Sequence, residues 1–301
     1  MTANLREVRD RIAAGIVGRR RELELVLAAV AAGRDIVLEG PPGTSKSTLV
    51  RAITREWGIP LLFVEGNADL TPAKLVGYHS PSRVLRADYS ADTFVEGPLV
   101  EAMRCGGFLY VEELNRAPED TLNTLLTAMA ERQIAVPRVG TVTAAPTFRI
   151  IASMNPYDNV GTTRLSASIH DRFCRLAVDY QDDEAERGIV ALRAPLGELA
   201  EAVRTRLVAD AVGLTRATRD HGDIRQGSSV RGAIDLVLIA ARLVELSDEV
   251  EDYPEVVFQA MTVALSGRIH LDDVAETTPE QVLRAIWEDH FVLDPSIAKP
   301  G

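Results

Sequence analysis

A lysine and a serine follow a glycine-containing turn in the stretch LEGPPGTSKSTLV, residues 38 to 50. The spacing of Gly40, Lys46 and Ser47 matches the phosphate-binding pattern G-x-x-x-x-G-K-[ST]. Ser45 departs from this pattern, which has glycine before the lysine. In such a loop backbone N–H groups and the lysine bind phosphate oxygens, and the hydroxyl ligates Mg²⁺. The stretch therefore predicts a nucleoside triphosphate site and leaves the effect of Ser45 open.

The loop residues that we predict to contact the nucleotide are small, polar or turn-forming. They are Gly40, Pro42, Gly43, Thr44, Ser45, Lys46, Ser47 and Thr48. Only three of the 33 lysines and arginines in the chain are lysines, and Lys46 is one of them. Chance is therefore a poor explanation for a lysine at this position of the pattern. Ser45 adds a Cβ beside the phosphates, but it is small enough to clear them.

Two adjacent acids end an apolar run in FLYVEELNRAP, residues 108 to 118. A strand that ends in paired acids beside a phosphate loop supplies two functions. The first acid, Glu112, orients Mg²⁺, and the second, Glu113, polarises the attacking water as a general base. Most sites of this type have aspartate first, so the extra methylene of Glu112 leaves the turnover rate open. The structural alternative is a strand end with two solvated acids.

Three further polar residues are candidates for contact with the γ-phosphate. Asn155 ends the apolar run FRIIASMN, where it would bind the attacking water or the phosphate, although an Asn-Pro pair also forms turns. Arg172 in the stretch DRF is a candidate arginine finger, and Arg164 is a second one. The alternative for Arg172 is a surface arginine paired with Asp171.

A third arginine lies in the stretch RQGSSVRGAIDLVL, residues 225 to 238. Ser228 or Ser229 would cap a helix there, which places Arg231 in its first or second turn. From that position Arg231 would reach a nucleotide bound to the first domain. A solvated helical arginine is the alternative.

The elements that position these residues alternate between strand and helix. Five short apolar runs predict parallel strands buried on both faces, and they are residues 35–40, 60–66, 107–113, 148–155 and 174–180. Helical patterns separate the runs, which indicates a doubly wound α/β domain over residues 1–180. From about residue 181 the apolar spacing is helical, so residues 181–301 predict a helical second domain.

These motifs, in this order, resemble the AAA+ ring ATPases and, within them, the MoxR family. The residues that carry the resemblance over the whole chain are GPPGTSKS, EELNRAPEDTLNTLLTAMAERQI, Met154-Asn155-Pro156, DRF and GSSVRGA. GIVGRR resembles the family's adenine-side segment, so the resemblance implies adenine contacts at Val17 and Gly18. The fold it implies is a P-loop domain with a five-stranded parallel sheet in the order 5-1-4-3-2, followed by a C-terminal all-α lid.

The resemblance also implies an activity and an assembly. The family implies hydrolysis of ATP with Mg²⁺, with Arg172 acting on the ATP of a neighbouring subunit in a hexameric ring. It implies a chaperone-like remodeller of a protein client, often with a von Willebrand A-domain partner. Residues 77–99, with Tyr78, Tyr89 and Phe94, match the family's inserted hairpin, although an ordinary exposed hairpin is an equal alternative. The segment VPRVGTVTAAPTF predicts a second hairpin.

Composition limits the other functions. The chain has 301 residues and a net charge of −11, which disfavours a broad nucleic-acid surface. No apolar run approaches the roughly 18 residues that a membrane span needs, and the N-terminus lacks a secretory signal pattern, so we expect a cytoplasmic protein. A slow-hydrolysing nucleotide switch is the main alternative, and a nucleic-acid-directed AAA+ motor or a P-loop kinase is less favoured.

Overall fold

The computed structural model describes residues 4–87, 90–156, 165–197, 199–246 and 252–293. The chain forms two compact units, Met1–Asp179 and Tyr180–Gly301. Each unit has its own hydrophobic core. The predicted candidates Arg164 and Tyr89 lie outside the described residues.

The first unit is built on a parallel sheet with two added hairpins. Its strands are β1 (Ile36–Glu39), β2 (Leu61–Glu65), β3 (Gly77–His79), β4 (Phe94–Glu96), β5 (Phe108–Glu112), β6 (Gln133–Val136), β7 (Gly140–Thr143), β8 (Arg149–Met154) and β9 (Cys174–Ala177). The five-stranded sheet has the order β2-β5-β8-β1-β9. When the five strands are numbered 1 to 5 along the chain, their order read from the β9 edge is 5-1-4-3-2. The predicted strand order is therefore confirmed.

Helices cover both faces of this sheet. They are α1 (Leu5–Ala13), α2 (Arg20–Ala31), α3 (Lys46–Trp57), α4 (Pro72–Val76), α5 (Pro81–Ala87), α6 (Pro98–Cys105), α7 (Glu119–Glu131) and α8 (Ala167–Arg172). Successive residues of a strand point to opposite faces, so Ile36 packs in the core with α2 and α3, while Val37 packs in the core with α6 and α7. Burial on both faces explains why the central strands are continuous apolar runs.

The strand register brings the ends of three central strands to one edge of the sheet. In β1, Glu39 pairs with Met154 of β8, and the next residue, Gly40, begins the loop. In β5, Val111 pairs with Ala152, so Glu112 and Glu113 leave the sheet close to the end of β8. The carboxyl edge of a parallel sheet is where ligands bind in open α/β folds.

The structure has a hairpin in the predicted segment 77–99, and a second one over residues 133–143, which begins three residues before the predicted segment VPRVGTVTAAPTF. Strands β3 and β4 pair antiparallel and enclose α5, and β6 pairs antiparallel with β7. The ring of His79 joins the two hairpins, because its Nδ1 lies 3.0 Å from Thr93 Oγ1 and its Nε2 lies 3.1 Å from the carbonyl oxygen of Pro137.

The second unit is helical, as predicted, and it also holds a short two-stranded ladder. Its elements are α9 (Asp183–Arg193), α10 (Glu201–Asp220), β10 (Ile224–Gln226), α11 (Val230–Leu246), α12 (Tyr253–Leu265), β11 (His270–Leu271), α13 (Pro279–Glu288) and a π-helical turn, Asp289–Leu293. The sequence predicts an all-α unit here. It misses the ladder because strands of two and three residues leave no hydrophobic periodicity in a sequence. Among the described helices of both units, none combines the length and apolar character that crossing a membrane requires.

Candidate functional site

The phosphate-type loop begins at a point where only glycine fits. Gly40 follows β1 and passes the end of β9, where a Cβ would lie 1.9 Å from the carbonyl oxygen of Val178. The N–H of Gly40 donates to the carbonyl of Met154 at 3.1 Å. The loop is therefore fixed against the ends of both strands that flank β1.

The backbone of the loop takes left-handed conformations on both sides of Thr44. Gly43 has φ 76° and Ser45 has φ 65°. Alternation of this kind points successive N–H groups towards a common centre and forms an anion-binding concavity. It also explains why the pattern has glycine before the lysine, since a residue with a Cβ is strained in this region. The departure at Ser45 is thus a matter of backbone conformation.

The ammonium group of Lys46 lies inside the curve of this loop. Its Nζ donates to the carbonyl oxygens of Gly40 at 2.8 Å and Pro41 at 2.7 Å, and it lies 3.2 Å from Thr44 Oγ1. Thr44 is itself buried and donates to Pro41. Lys46 is also the first residue of α3, so the positive end of the helix dipole coincides with the side-chain charge. This arrangement fits a phosphate group.

The paired acids leave β5 beside a second close approach of backbone. A Cβ on Gly66 would lie 2.2 Å from the carbonyl oxygen of Glu113, and the Gly66 N–H donates to Glu112 at 2.7 Å. Glu113 has φ 54°, which turns its side chain out of the strand direction. Its carboxylate lies 3.2 Å from Nε of Arg116, and both side chains are about two-fifths exposed. The loop after β2 therefore fixes the backbone that carries both acids.

A buried tyrosine in β5 packs in the same core as the helix that follows the loop. Tyr110 is fully buried in β5, and its hydroxyl lies 2.9 Å from Oγ of Ser153. Burial raises the pKa of Tyr110 to about 12, the hydrogen bonds that it shares with Ser153 and Ser47 oppose that rise, and the charge of Glu112 adds to it. Tyr110 packs in one core with Leu49 and Val50 of α3, the helix that carries Ser47, and Glu112 lies two residues beyond Tyr110 in β5. The hydroxyl oxygen of Ser47 and the carboxylate oxygens of Glu112 are the hard donors that suit Mg²⁺.

The turn after the acids is tied to the end of β8. Asn115 is buried and its Nδ2 donates to the backbone carbonyl of Asn155 at 3.2 Å. This bond brings Asn155 next to the segment that carries Glu113. The phosphate-type loop, the two acids and Asn155 thus lie at one edge of the sheet.

The other predicted residues lie elsewhere in the fold. Arg172 is exposed at the end of α8, where its Nη1 bonds the carbonyl oxygen and the hydroxyl of Ser168. Arg231 is exposed in the first turn of α11, in the second unit. Val17 and Gly18 lie between α1 and α2, and the latter has φ 66°.

Sequence reasoning missed four residues that shape the site. Asn115 and Arg116 follow one residue after the acids, and two polar side chains so soon after a pair of candidate catalytic acids are a signal that could have indicated them. Tyr110 and Ser153 are polar residues within otherwise apolar runs. A hydroxyl in a buried strand requires a partner, so each of them implied a bond to the other strand.

Comparison with known proteins matches part of the chain to a family. Residues 35–173 match the family described as AAA domain (dynein-related subfamily). The gas vesicle ATPase GvpN of Ancylobacter aquaticus is 29% identical over 286 residues, which cover 89% of this chain and 77% of GvpN. This relative aligns with both units of the chain.

Two solved structures share the fold. An unconfirmed ATPase from Cytophaga hutchinsonii has 22% identity, covers 94% of this chain and 92% of its own, and superposes with a TM-score of 0.52. NtrX from Brucella abortus, solved in complex with ADP, has 19% identity, 90% and 60% coverage, and a TM-score of 0.54. Residues 35–173 thus match an AAA domain of the dynein-related subfamily, and the chain has the same fold as the two solved structures.

Proposed function

We propose that this chain binds ATP with Mg²⁺ and hydrolyses the bond between the β- and γ-phosphates. It uses this cycle of ATP binding and hydrolysis to remodel a protein client. The observation that carries the proposal is the convergence of three parts at one sheet edge. The loop curves around Lys46, Ser47 lies in the first turn of the following helix, and the two acids stand at the end of β5 at the same edge. The relative GvpN, an ATPase by name, supports hydrolysis.

Each residue has a proposed part in the reaction. Lys46 and the loop N–H groups bind the β- and γ-phosphates, and Gly43, Thr44 and Thr48 line the same loop. Ser47 and Glu112 would hold Mg²⁺, which when bound neutralises phosphate charge and orients the phosphates. This pair fits the metal by donor chemistry, since a hydroxyl and a carboxylate offer the oxygen ligands that Mg²⁺ prefers.

The proton of the attacking water goes to Glu113. A carboxylate beside a positioned water acts as a general base, and Asn155 at the end of β8 would orient that water. The ion pair between Glu113 and Arg116, 3.2 Å long, holds the carboxylate to one side. Because both side chains are about two-fifths exposed, this ion pair contributes little free energy. The Glu113 carboxylate can therefore leave Arg116 and contact the attacking water.

Assembly into a ring completes the proposed site. The exposed guanidinium of Arg172 would contact the γ-phosphate of a neighbouring subunit, and a heterologous contact of that kind closes into a ring, which we propose is hexameric. Arg231 would contact the nucleotide from the second unit. Val17 and Gly18 would line the adenine side.

The hairpin segment 77–99 is the proposed contact with the client. Tyr78 is 54% exposed and Leu85 of α5 is 89% exposed, so the segment presents apolar surface. Phe94 is half-buried, with its ring centroid 5.3 Å from that of His79, so it supports the hairpin. A von Willebrand A-domain protein remains our proposed partner.

A nucleotide-dependent switch with slow hydrolysis is the second candidate function. The observation that favours it is the strained backbone at Ser45 together with glutamate at position 112. A nucleic-acid-directed motor is less favoured, because the net charge is −11.

Nucleotide binding is tested by exchanging lysines. We expect Lys46→Ala to lower the affinity for Mg-ATP by at least about 100-fold, because a charge-assisted contact to two phosphates is lost. Lys74→Ala, at an exposed lysine of α4, is the matched control and leaves the affinity unchanged. Isothermal titration of both variants gives the result. Equal affinities in the two variants would contradict the proposed site.

A further inference from the structure

Three arginines of the first unit lie together at the amino edge of the central sheet, opposite the edge that holds the phosphate-type loop. Arg34 lies in the turn between α2 and β1, Arg132 caps the end of α7, and Arg149 begins β8. All three lie within electrostatic reach of one carboxyl group, that of Asp35, and Arg149 is also within reach of the other two arginines. We name these four residues the Arg149 cluster.

The Arg149 cluster has an excess of positive charge. In the part of the chain that the structure describes, none of its arginines forms an ion pair, although the chain has 44 acidic and only 33 basic residues. Three guanidinium charges against one carboxylate leave two positive charges at this edge. Burial lowers the pKa of Arg149, and the charges of Arg132 and Arg34 lower it further, against the opposing charge of Asp35. A bound anion would relieve this repulsion.

The carboxylate of Asp35 is already engaged by the backbone. Its Oδ1 accepts the N–H of Ile150 at 2.7 Å, which ties the turn before β1 to the start of β8. Burial raises the pKa of this carboxyl group, although the hydrogen bond and the three arginines oppose that rise. Asp35 therefore fixes the strand ends and neutralises only one of the three guanidinium charges.

Two of the guanidinium groups are held side by side by one carbonyl group. Nη1 of Arg149 and Nη2 of Arg132 both donate to the carbonyl oxygen of Phe148, the latter at 2.8 Å. Nη1 of Arg149 also donates to the carbonyl of Pro146 at 2.9 Å. The guanidinium of Arg132 lies over the ring of Phe148, 5.0 Å from its centroid. The two cations are therefore positioned without a carboxylate partner.

The other edge of the Arg149 guanidinium, formed by Nε and Nη2, has no hydrogen-bond acceptor within the described residues. Nε is buried, so bulk water does not supply the acceptor. Nη2 lies against Gly33, where a Cβ would come within 2.9 Å of it. Gly33 has φ 77°, and the lack of a side chain there leaves room beside Nη2. Two N–H groups on one guanidinium edge are the donors that bind two oxygens of one anion.

We propose that the Arg149 cluster binds a phosphate dianion, with Arg149 donating to two phosphate oxygens and Arg34 lying beside it. A dianion matches the two excess charges, whereas a carboxylate matches only one of them. Arg34 is exposed and Arg149 is half-buried, so solvent reaches the cluster. Inorganic phosphate and a small phosphomonoester share this chemistry. The site lies at the opposite edge of the sheet from the proposed ATP site and does not depend on the proposed function.

A purely structural role is the alternative for these arginines, since Arg132 and Arg149 hold the segment that leads into β8. Removal of Arg149 would break its bonds to Pro146 and Phe148 under either role, so its loss does not separate them. Arg34 does separate them. Its side chain makes no hydrogen bond or ion pair within the described residues, so Arg34→Gln removes charge from the cluster and leaves its contacts in place.

The experiment is a calorimetric titration of inorganic phosphate into the full chain at constant ionic strength and about pH 8, where phosphate carries two charges. Every protein also carries Lys46→Ala, because the phosphate-type loop is a second phosphate site. We expect a dissociation constant of about 1 mM or lower, which Arg34→Gln raises about 3- to 10-fold. Arg21→Gln, exposed in the first turn of α2 at the far end from Gly33, removes the same charge and should leave binding unchanged.

A second variant fills the space beside Arg149. Gly33→Ala places a Cβ 2.9 Å from Nη2, so we expect it to weaken phosphate binding at least about 10-fold. Because alanine is also strained at φ 77°, its folding is checked by circular dichroism, and Arg34→Gln tests the proposal without that strain.

Other anions identify the source of the phosphate. Glycerol 1-phosphate that binds within about 3-fold of inorganic phosphate supports a small phosphomonoester as the ligand, and much weaker binding supports inorganic phosphate itself. Acetate, with a single charge, should bind at least about 10-fold more weakly than phosphate.

Three results would overturn the inference. One is the lack of saturable phosphate binding up to about 20 mM in the Lys46→Ala protein. Another is equal phosphate affinity of the Arg34→Gln and Arg21→Gln proteins, which would show that the cluster is not the site. The third is acetate binding as tight as that of phosphate, which would contradict the match of charge. The proposed ATP site is tested separately, by the exchanges of Lys46 and Lys74.

Discussion

Ser45 occupies a backbone conformation that costs free energy for any residue with a Cβ. Its φ of 65° lies in the left-handed region, and its side chain makes no capping hydrogen bond to the start of α3. The cost is about 1–2 kcal/mol per residue, part of which glycine would lose again through its flexibility in the unfolded chain.

We therefore expect Ser45→Gly to raise the free energy of unfolding by up to about 1 kcal/mol. Ser45→Ala keeps the Cβ and should give no gain, which makes it the control. Urea unfolding of the three proteins measures the difference. A glycine variant no more stable than the alanine variant would show that strain is not what distinguishes this position.

Tyr110 gives the second prediction at this scale. Tyr110→Phe leaves the buried hydroxyl of Ser153 without its partner, so the free energy of unfolding should fall by about 1–2 kcal/mol. Tyr78→Phe, at a phenol that is more than half exposed, should change stability by less than about 0.5 kcal/mol. Equal effects of the two substitutions would mean that the buried bond contributes nothing.

The same substitution has a pH signature. Folding raises the pKa of Tyr110 from 10.0 to about 12, chiefly by burial. As pH rises through this range the unfolded chain loses the proton first, so the wild-type free energy of unfolding falls there and Tyr110→Phe lacks that part of the fall. Parallel pH profiles for the two proteins would contradict this assignment.

The contrast between contiguous and distant residues explains which parts of the site a sequence can predict. Lys46 and Ser47 stand at a fixed spacing in one loop, so their pattern can be recognised from the sequence alone. The bond between Tyr110 and Ser153 joins residues 43 apart, and it depends on the pairing of Tyr110 with Ile151 in the sheet. Residue spacing along the chain carries no information on that register.

At the scale of elements, the meeting of β1, β8 and β9 decides where the loop lies. Gly40 is the residue at which these strand ends touch, through its bond to Met154 and its contact with Val178. The parallel direction of the strands could be predicted because three of the runs are apolar throughout. Only strands covered on both faces require such continuous runs. The ladder of β10 and β11 could not, since its strands have three and two residues.

Gly40→Ala tests this meeting point. A Cβ placed 1.9 Å from a carbonyl oxygen must push the loop away from β9, so we expect a loss of at least about 2 kcal/mol in the free energy of unfolding. Gly15→Ala is the control, because its Cβ would lie 3.7 Å from the nearest atom, an ordinary contact. Denaturant unfolding measures both. A Gly40→Ala protein as stable as Gly15→Ala would mean that the strand ends do not constrain the loop.

At the scale of the whole molecule, the chain joins a unit that contains the residues matched by an AAA domain, 35–173, to a helical unit within 301 residues. The acids of β5 and the loop around Lys46 belong to the first unit, while Arg231 belongs to the second. The proposed ATP cycle requires both sets, but the chemical step depends on one carboxylate. Glu113 is the group with a proposed role in that step alone, since Lys46 and Ser47 also serve binding.

Steady-state ATP turnover of Glu113→Gln is therefore the most direct test of the central claim. Glu119→Gln, at an exposed acid that begins α7, is the matched control. We predict that Glu113→Gln binds ATP as the wild type does and turns it over at least about 100-fold more slowly, the effect of removing a general base, while Glu119→Gln is unchanged. Turnover of Glu113→Gln at the wild-type rate would contradict the claim.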